Sequence, residues 1–187
     1  GHTYYVTIDN GVLNLADGSF QGVTKEDEWT FTTKSDMPEL SDTLIVDATG
    51  KGDFNTVRGA LDFIPDFNEQ QTVILVNPGD YEELVYTRNK WNVKIKGAGM
   101  ADTKVHYANN EVFNPHPLTV KTNEWPGTFP SRRAAFMLDN CKDIVIEDMT
   151  IATDLKGQAE GLLINGERIA LYLSLIHISE PTRLDVI

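Results

Sequence analysis

Residues 52–66 read Gly-Asp-Phe-Asn-Thr-Val-Arg-Gly-Ala-Leu-Asp-Phe-Ile-Pro-Asp, and they limit how the rest of the chain can fold. We expect Asp53 to cap the start of a helix here, because its carboxylate can accept hydrogen bonds from free backbone N–H groups. Pro65 is expected to end that helix. Four apolar residues recur at the spacing of one helix face: Phe54, Val57, Leu61 and Ile64. The segment therefore predicts one short amphipathic helix that needs an apolar core to pack on.

Short apolar runs, separated by Gly, Asn and Asp, follow the helix. The first is residues 72–77, and a turn is predicted at residues 78–81. No long helical pattern lies between the runs, so a sheet of alternating strands and helices is excluded. Several intervals fit coils of about twenty residues with more than one strand per coil, and a β-sandwich is the alternative. The other runs are residues 93–95, 105–107, 135–138, 144–146, 149–151, 162–164 and 169–171.

Several longer motifs occur in a fixed order across residues 44–171. They are residues 47–57, 77–83, 93–97, 109–117, 127–136 and 157–163. In this order they resemble the catalytic domain of pectinesterases, and in particular the bacterial members of that family. Pectinesterases are carbohydrate esterases that remove methyl groups from pectin and so modify cell walls. The resemblance implies an all-β fold, a right-handed parallel β-helix (truncated) whose open end is capped by the short N-terminal helix.

The resemblance also implies a reaction, ester hydrolysis without a metal or other cofactor. In the family one aspartate attacks the ester carbonyl, a second acts as acid and base, and an arginine orients the nucleophile. Two glutamines hold the oxyanion, and Gln158 matches the first of them. An amide suits this role because it donates hydrogen bonds without adding a charge. The candidates for contact with substrate are Thr128, Ser131 and Arg133, the last through attraction to a uronate.

The family's two aspartates are expected after the Gln-Ala pair that contains Gln158. In that part of the sequence this chain departs from the family pattern. Residues 173–183 (Leu-Ser-Leu-Ile-His-Ile-Ser-Glu-Pro-Thr-Arg) match the translation of a transposase adapter used in sequencing libraries. Residues 173–178 also fit an apolar strand. We therefore expect residues 173–187 to be an artefact tail and the chain to be a fragment that lacks its catalytic aspartates and is inactive.

The front of the chain has a different pattern from the rest. Residues 3–9 and 28–33 alternate apolar and polar side chains, which is typical of half-buried strands. Residues 1–34 resemble the C-terminal end of a bacterial immunoglobulin-like domain. We therefore expect a partial β-sandwich at 1–34, a linker at 35–43 and the front part of the β-helix at 44–172.

Charge and hydropathy limit the partners. The net charge of −12 excludes a nucleic-acid partner, which would need a basic surface. Pectin is an anionic polymer, so on a chain of this net charge a groove that binds pectin must be less acidic than the chain as a whole. No run of 18 apolar residues is present, so no membrane span is expected. We expect no signal peptide in these 187 residues, and the resemblance implies an extracellular or cell-surface parent protein with pectin as its partner.

The other ionisable residues indicate no further chemistry. His106 and His116 lack metal-ligand spacing, and Cys141, the only cysteine, fits a small buried residue in a turn. Five carboxylates fall in predicted turns and are expected to be solvated: Asp139, Asp143, Glu147, Asp148 and Asp154.

Two other functions stay open. A non-catalytic carbohydrate-binding or surface-adhesion β-helix agrees with the immunoglobulin-like neighbour and the acidic composition. A polysaccharide lyase on the same fold would need calcium held by clustered carboxylates, together with a basic proton acceptor.

Overall fold

The computed structural model describes residues 1–40, 43–110, 121–122, 125–126, 134–156 and 159–177. The chain divides into two compact units, Gly1–Glu39 and Leu40–Ile187. In the first unit, β1 (Thr3–Tyr5) pairs antiparallel with β2 (Thr30–Thr32). All residues of this unit are exposed or half-buried, so strand pairing holds it without a buried core.

The strands of the second unit stack as successive turns of a coil. Two parallel sheets result, one in the order β13-β11-β7-β4-β3 with β6 also on β11, and the other in the order β14-β12-β8-β5. β9 and β10 form a short antiparallel pair. In chain order the elements are β3 (Thr43–Val46), α1 (Val57–Phe63), β4 (Thr72–Val76), β5 (Gly79–Glu82), β6 (Val85–Arg88), β7 (Trp91–Lys96), β8 (Thr103–Tyr107), β9 (Lys121–Thr122), β10 (Trp125–Pro126), β11 (Ala134–Glu147), β12 (Thr150–Thr153), β13 (Glu160–Tyr172) and β14 (Leu175–His177).

This arrangement confirms the expectation of parallel sheets with little helix. The apolar runs predicted after the helix all lie in strands, although two pairs of runs are each joined in one long strand, β11 and β13. The turn predicted at residues 78–81 is wrong, because Gly79 begins β5. Its backbone pairs with Thr103 in the next coil, and that long-range ladder draws the Gly-Asp segment into a strand.

The helix forms where expected but begins differently. Thr56 is its N-cap, with a side-chain oxygen that accepts from Gly59 N at 3.0 Å. The prediction of Asp53 as the cap is wrong, because its carboxylate accepts from Ile45 N at 2.8 Å instead. The helix ends at Phe63, with Ile64 as its C-cap directly before Pro65. Within the described residues, no helix has the length and hydropathy needed to cross a membrane.

Inward-facing side chains from both sheets and the helix form one apolar core. Leu61 and Ile64 from the helical face lie in the same buried cluster as Ile95, Ile146 and Ile151 from three strands. In β4, β6 and β8 buried positions alternate with half-buried or exposed ones, as expected when one face of a coil turns inward, whereas all four residues of β12 are buried.

Asparagine lies at a bend in two neighbouring coils, directly after β6 and at the register shift inside β11. Asn89 and Asn140 both have positive φ angles, of 57° and 50°, which asparagine tolerates better than most residues. Asn140 Nδ2 donates to Asn89 Oδ1 at 2.7 Å, so equivalent bends stack on each other. Cys141 follows directly and is buried, as predicted, but it lies inside β11 at a shift of the strand register and not in a turn. Burial raises the pKa of its thiol.

Candidate functional site

Gln158, Thr128, Ser131 and Arg133 all lie outside the described residues, as does His116. The geometry of this region therefore comes from the residues that flank them in the sequence.

Two of these flanking residues lie side by side at the start of neighbouring strands. Ala134 and Glu160, the first residues of β11 and β13, are paired in the parallel ladder. Parallel strands begin at the same edge of a sheet. Arg133 directly precedes Ala134, and Gln158 lies two residues before Glu160. The sequence neighbours of two predicted site residues are thus partners across one sheet edge.

Asn109 joins the same edge to the second sheet. Its side-chain Nδ2 donates to the carbonyl of Ala134 at 2.9 Å, and its own carbonyl accepts from Thr153 Oγ1 at 2.8 Å. Asn110 Nδ2 donates to the carbonyl of Lys156 at 3.0 Å. Asn109 is 0% exposed. Hydrogen bonds therefore join the residues that flank segments 111–133 and 157–158. We call this contact the junction, and buried Asn109 lies at its centre.

A charged cluster lies beside this junction on the second sheet. His106 Nε2 is 2.9 Å from Asp80 Oδ1, and its Nδ1 contacts Asp154 Oδ2. The Asp80 contact lacks hydrogen-bond geometry and is a close approach only. Lys104 adds a positive charge 3.9 Å from Asp154. His106 thus links adjacent coils, and among the described residues no group of three or more His, Cys, Asp or Glu is arranged to hold a metal ion.

Asp139 departs from the expectation that the five carboxylates are solvated. It is 1% exposed in β11, where Arg88 Nε approaches it at 2.8 Å and Asn165 Nδ2 donates to it at 2.8 Å. Tyr86 also donates to it, at 3.3 Å, and burial followed by the Asp139 charge raises the pKa of Tyr86. The expectation was wrong for Asp139 because this residue ends an inward-facing strand segment. Its neighbours satisfy the charge, so we assign it a structural role.

Sequence reasoning missed both Asn109 and Asp139. Neither has a local signal, since the partners of Asn109 lie 25 and 44 residues away along the chain.

Comparison with known proteins gives one consistent family. The pectinesterase family model matches residues 43–178. Probable pectinesterase 67 of Arabidopsis thaliana is 32% identical over 96 residues, which cover 48% of this chain and 28% of that protein.

Solved structures agree. Pectin methylesterase from carrot matches with a TM-score of 0.54 at 20% identity, covering 73% of this chain and 40% of that one. A pectin methylesterase in complex with a hexasaccharide matches with a TM-score of 0.50 at 21% identity, covering 70% and 42%. At these identities the structures establish the fold alone. This chain spans less than half the length of each of these three proteins.

Proposed function

The chain belongs to the pectinesterase family, and from this we propose that its parent protein hydrolyses the methyl esters of pectin. The observation that carries the proposal is the match of the family model over residues 43–178. Water is consumed in this reaction, and methanol and a free uronate are released. The hexasaccharide complex of a structural neighbour supports a polysaccharide of the pectin type as the substrate.

Within this reaction we assign Gln158 to the oxyanion. Its amide would donate hydrogen bonds to the developing negative charge, which the parent's aspartate nucleophile creates. Thr128, Ser131 and Arg133 would contact the polymer, with Arg133 attracting a uronate carboxylate. The pairing of Ala134 with Glu160 supports this assignment, because the chain enters both strands at one sheet edge next to these residues.

The 187-residue chain itself is proposed to be inactive. The single aspartate after Gln158 is Asp185, whereas the family's reaction needs two aspartates in that part of the sequence. We attribute residues 173–187 to adapter-derived sequence, on the match of residues 173–183. Strand β14 and the family match to residue 178 fit the alternative, that residues 173–178 are native. Sequencing the source DNA across the codon for Tyr172 distinguishes the two.

Finer features of the parent complete the proposal. The coil is right-handed, and α1 caps its first end, an assignment supported by the complete burial of Val57, Ala60 and Leu61. Residues 1–34 derive from an immunoglobulin-like domain of a bacterial protein. The parent acts outside the cell or on its surface, where pectin is found.

Methanol release tests the proposed function. The reading frame that continues from residue 172 in the source DNA should release methanol from methyl-esterified pectin. Replacement of Gln158 by Ala in that protein should lower kcat by about 100-fold or more, the usual cost of losing one oxyanion donor. A reading frame without aspartates in the two coils after Gln158 would instead favour the non-catalytic carbohydrate-binding alternative.

A further inference from the structure

A groove opens where three coils of the second unit turn, away from the sheet edge at Ala134. Its lining includes the Trp91 ring and the side chains of Asn140, Lys142, Asn165 and Glu167. We call it the Trp91 groove. Asn140 lies six positions after Ala134 in β11, which corresponds to roughly 20 Å of extended strand. The groove is therefore separate from the edge where we expect Gln158.

Aromatic side chains form one side of this region. Phe67 packs edge-on against Trp91, with ring centroids 5.2 Å apart. Asn68 Oδ1 accepts from the backbone N–H of Trp91 at 3.1 Å, which holds the start of β7 next to residues 67–68. Phe67 has a φ of 57° and is 46% exposed. A bulky residue in this conformation is strained, and here burial offsets little of the strain, a combination found more often at ligand sites than elsewhere.

The charges of the groove differ from those of the chain. One lysine and one glutamate line it, so it is neutral on a chain of net charge −12. Lys142 Nζ lies 4.9 Å from the centroid of the Trp91 ring, so a carboxylate bound by this ammonium would sit beside the aromatic surface. The nearby Asp143 is held by Arg168 through two contacts of 2.5 Å, and these lower the pKa of the carboxyl.

We propose that the Trp91 groove is a second saccharide-binding site, specific for an acidic oligosaccharide. Because Lys142 lies over the Trp91 ring, the apolar face of a sugar ring packs against the exposed Phe67 ring beside it. A uronate carboxylate pairs with Lys142. Asn140, Asn165 and Glu167 supply donors and acceptors for hydroxyl groups. Such binding needs no catalytic residue, so it is independent of the proposed hydrolysis.

The test is binding of a fluorescently labelled hexagalacturonate to the full 187-residue chain, followed by anisotropy at low protein concentration. The chain should bind it, and Lys142→Gln and Trp91→Phe should each weaken binding about tenfold, the effect of losing roughly 1.4 kcal/mol. Lys104→Gln makes the same charge change on the other sheet and should bind as the original chain does. Circular dichroism confirms that each variant is folded.

Three results would overturn the proposal. They are no binding by the original chain, unchanged binding by Lys142→Gln, and equal binding of a neutral cello-oligosaccharide. Since the assay measures no methanol, its outcome is separate from that of the hydrolysis test.

Discussion

The carboxylate of Glu83 accepts a hydrogen bond from the backbone N–H of Val57 at 2.8 Å, and its other oxygen accepts from Arg58 N at 2.9 Å. Glu83 therefore satisfies two free N–H groups in the first turn of α1. Glu83 ends motif 77–83, and Val57 ends motif 47–57. The two motifs that carry much of the family resemblance thus meet at one contact. Their role is to fix the helix on the coil.

Replacing Glu83 by Ala should destabilise the second unit. The change leaves the buried N–H group of Val57 and the partly buried N–H group of Arg58 without their acceptor, which costs about 2 kcal/mol. Urea denaturation followed by circular dichroism measures the change. Glu82→Ala is the matched control, because Glu82 directly precedes Glu83 at the end of β5, is exposed and should change stability little. Equal effects of both substitutions would contradict the assigned role of Glu83.

Stability should fall on acidification. Hydrogen bonds from Lys94 and Lys96 lower the pKa of Glu147, and that of Asp66 is lowered chiefly by its hydrogen bond from Lys90. A carboxylate with a lowered folded-state pKa contributes stability that is fully present above its unfolded value and is lost as the pH falls through the folded value. Burial raises the pKa of Glu83, so its contribution has the opposite sign and is lost as the pH rises.

Among the described residues, at least four carboxylates have a lowered pKa, whereas the pKa of Glu83 is raised. The net effect on stability is therefore destabilisation by acid. Glu147→Gln should therefore lower the free energy of unfolding at about pH 7 and have little effect at about pH 3. Urea titrations at the two pH values measure this difference. The same loss at both would show that ionisation of Glu147 is not the cause.

Two arginine–aspartate pairs should differ in their contribution. Asp139 is buried and paired with Arg88, whereas Asp143 and Arg168 are paired at the surface. Asp139→Ala should cost about 2–3 kcal/mol, because it leaves buried donors unsatisfied. Asp143→Ala should cost less than about 1 kcal/mol, although its contacts are shorter. Thermal denaturation of both variants gives the comparison, and a larger loss for Asp143→Ala would contradict the burial argument.

The outer edge of β13 should promote self-association. Among the described strands, β13 pairs with β11 alone, so it is the edge strand of its sheet. Leu171 and Leu175 are exposed in β13 and β14. Replacing both by Lys should reduce the associated fraction in sedimentation velocity. Met37→Lys is the control, since this residue is 79% exposed in the first unit. A chain that is already monomeric at micromolar concentration would contradict the prediction.

Local periodicity was enough to predict the helix and the apolar strands, because Leu61, Ile64 and Ile95 follow the spacing of their elements. It missed β5 and β6, whose ladder partners come from later coils and whose sequences do not alternate strongly. The same limit applies to Asp139, since Arg88 belongs to the preceding coil. The role of Gln158 was predicted from a family motif, because no local physical signal in the sequence indicates it. What the sequence cannot provide here is the stacking of distant segments.

The most direct test of the account compares methanol release by two proteins. One is the purified 187-residue chain, and the other is the reading frame that continues from residue 172 in the source DNA. Both are incubated with methyl-esterified pectin. The account predicts only background methanol from the 187-residue chain and clear turnover by the longer protein. In the longer protein, Gln158→Ala should lower this turnover by about 100-fold or more. Clear turnover by the 187-residue chain, or none by the longer protein, would contradict it.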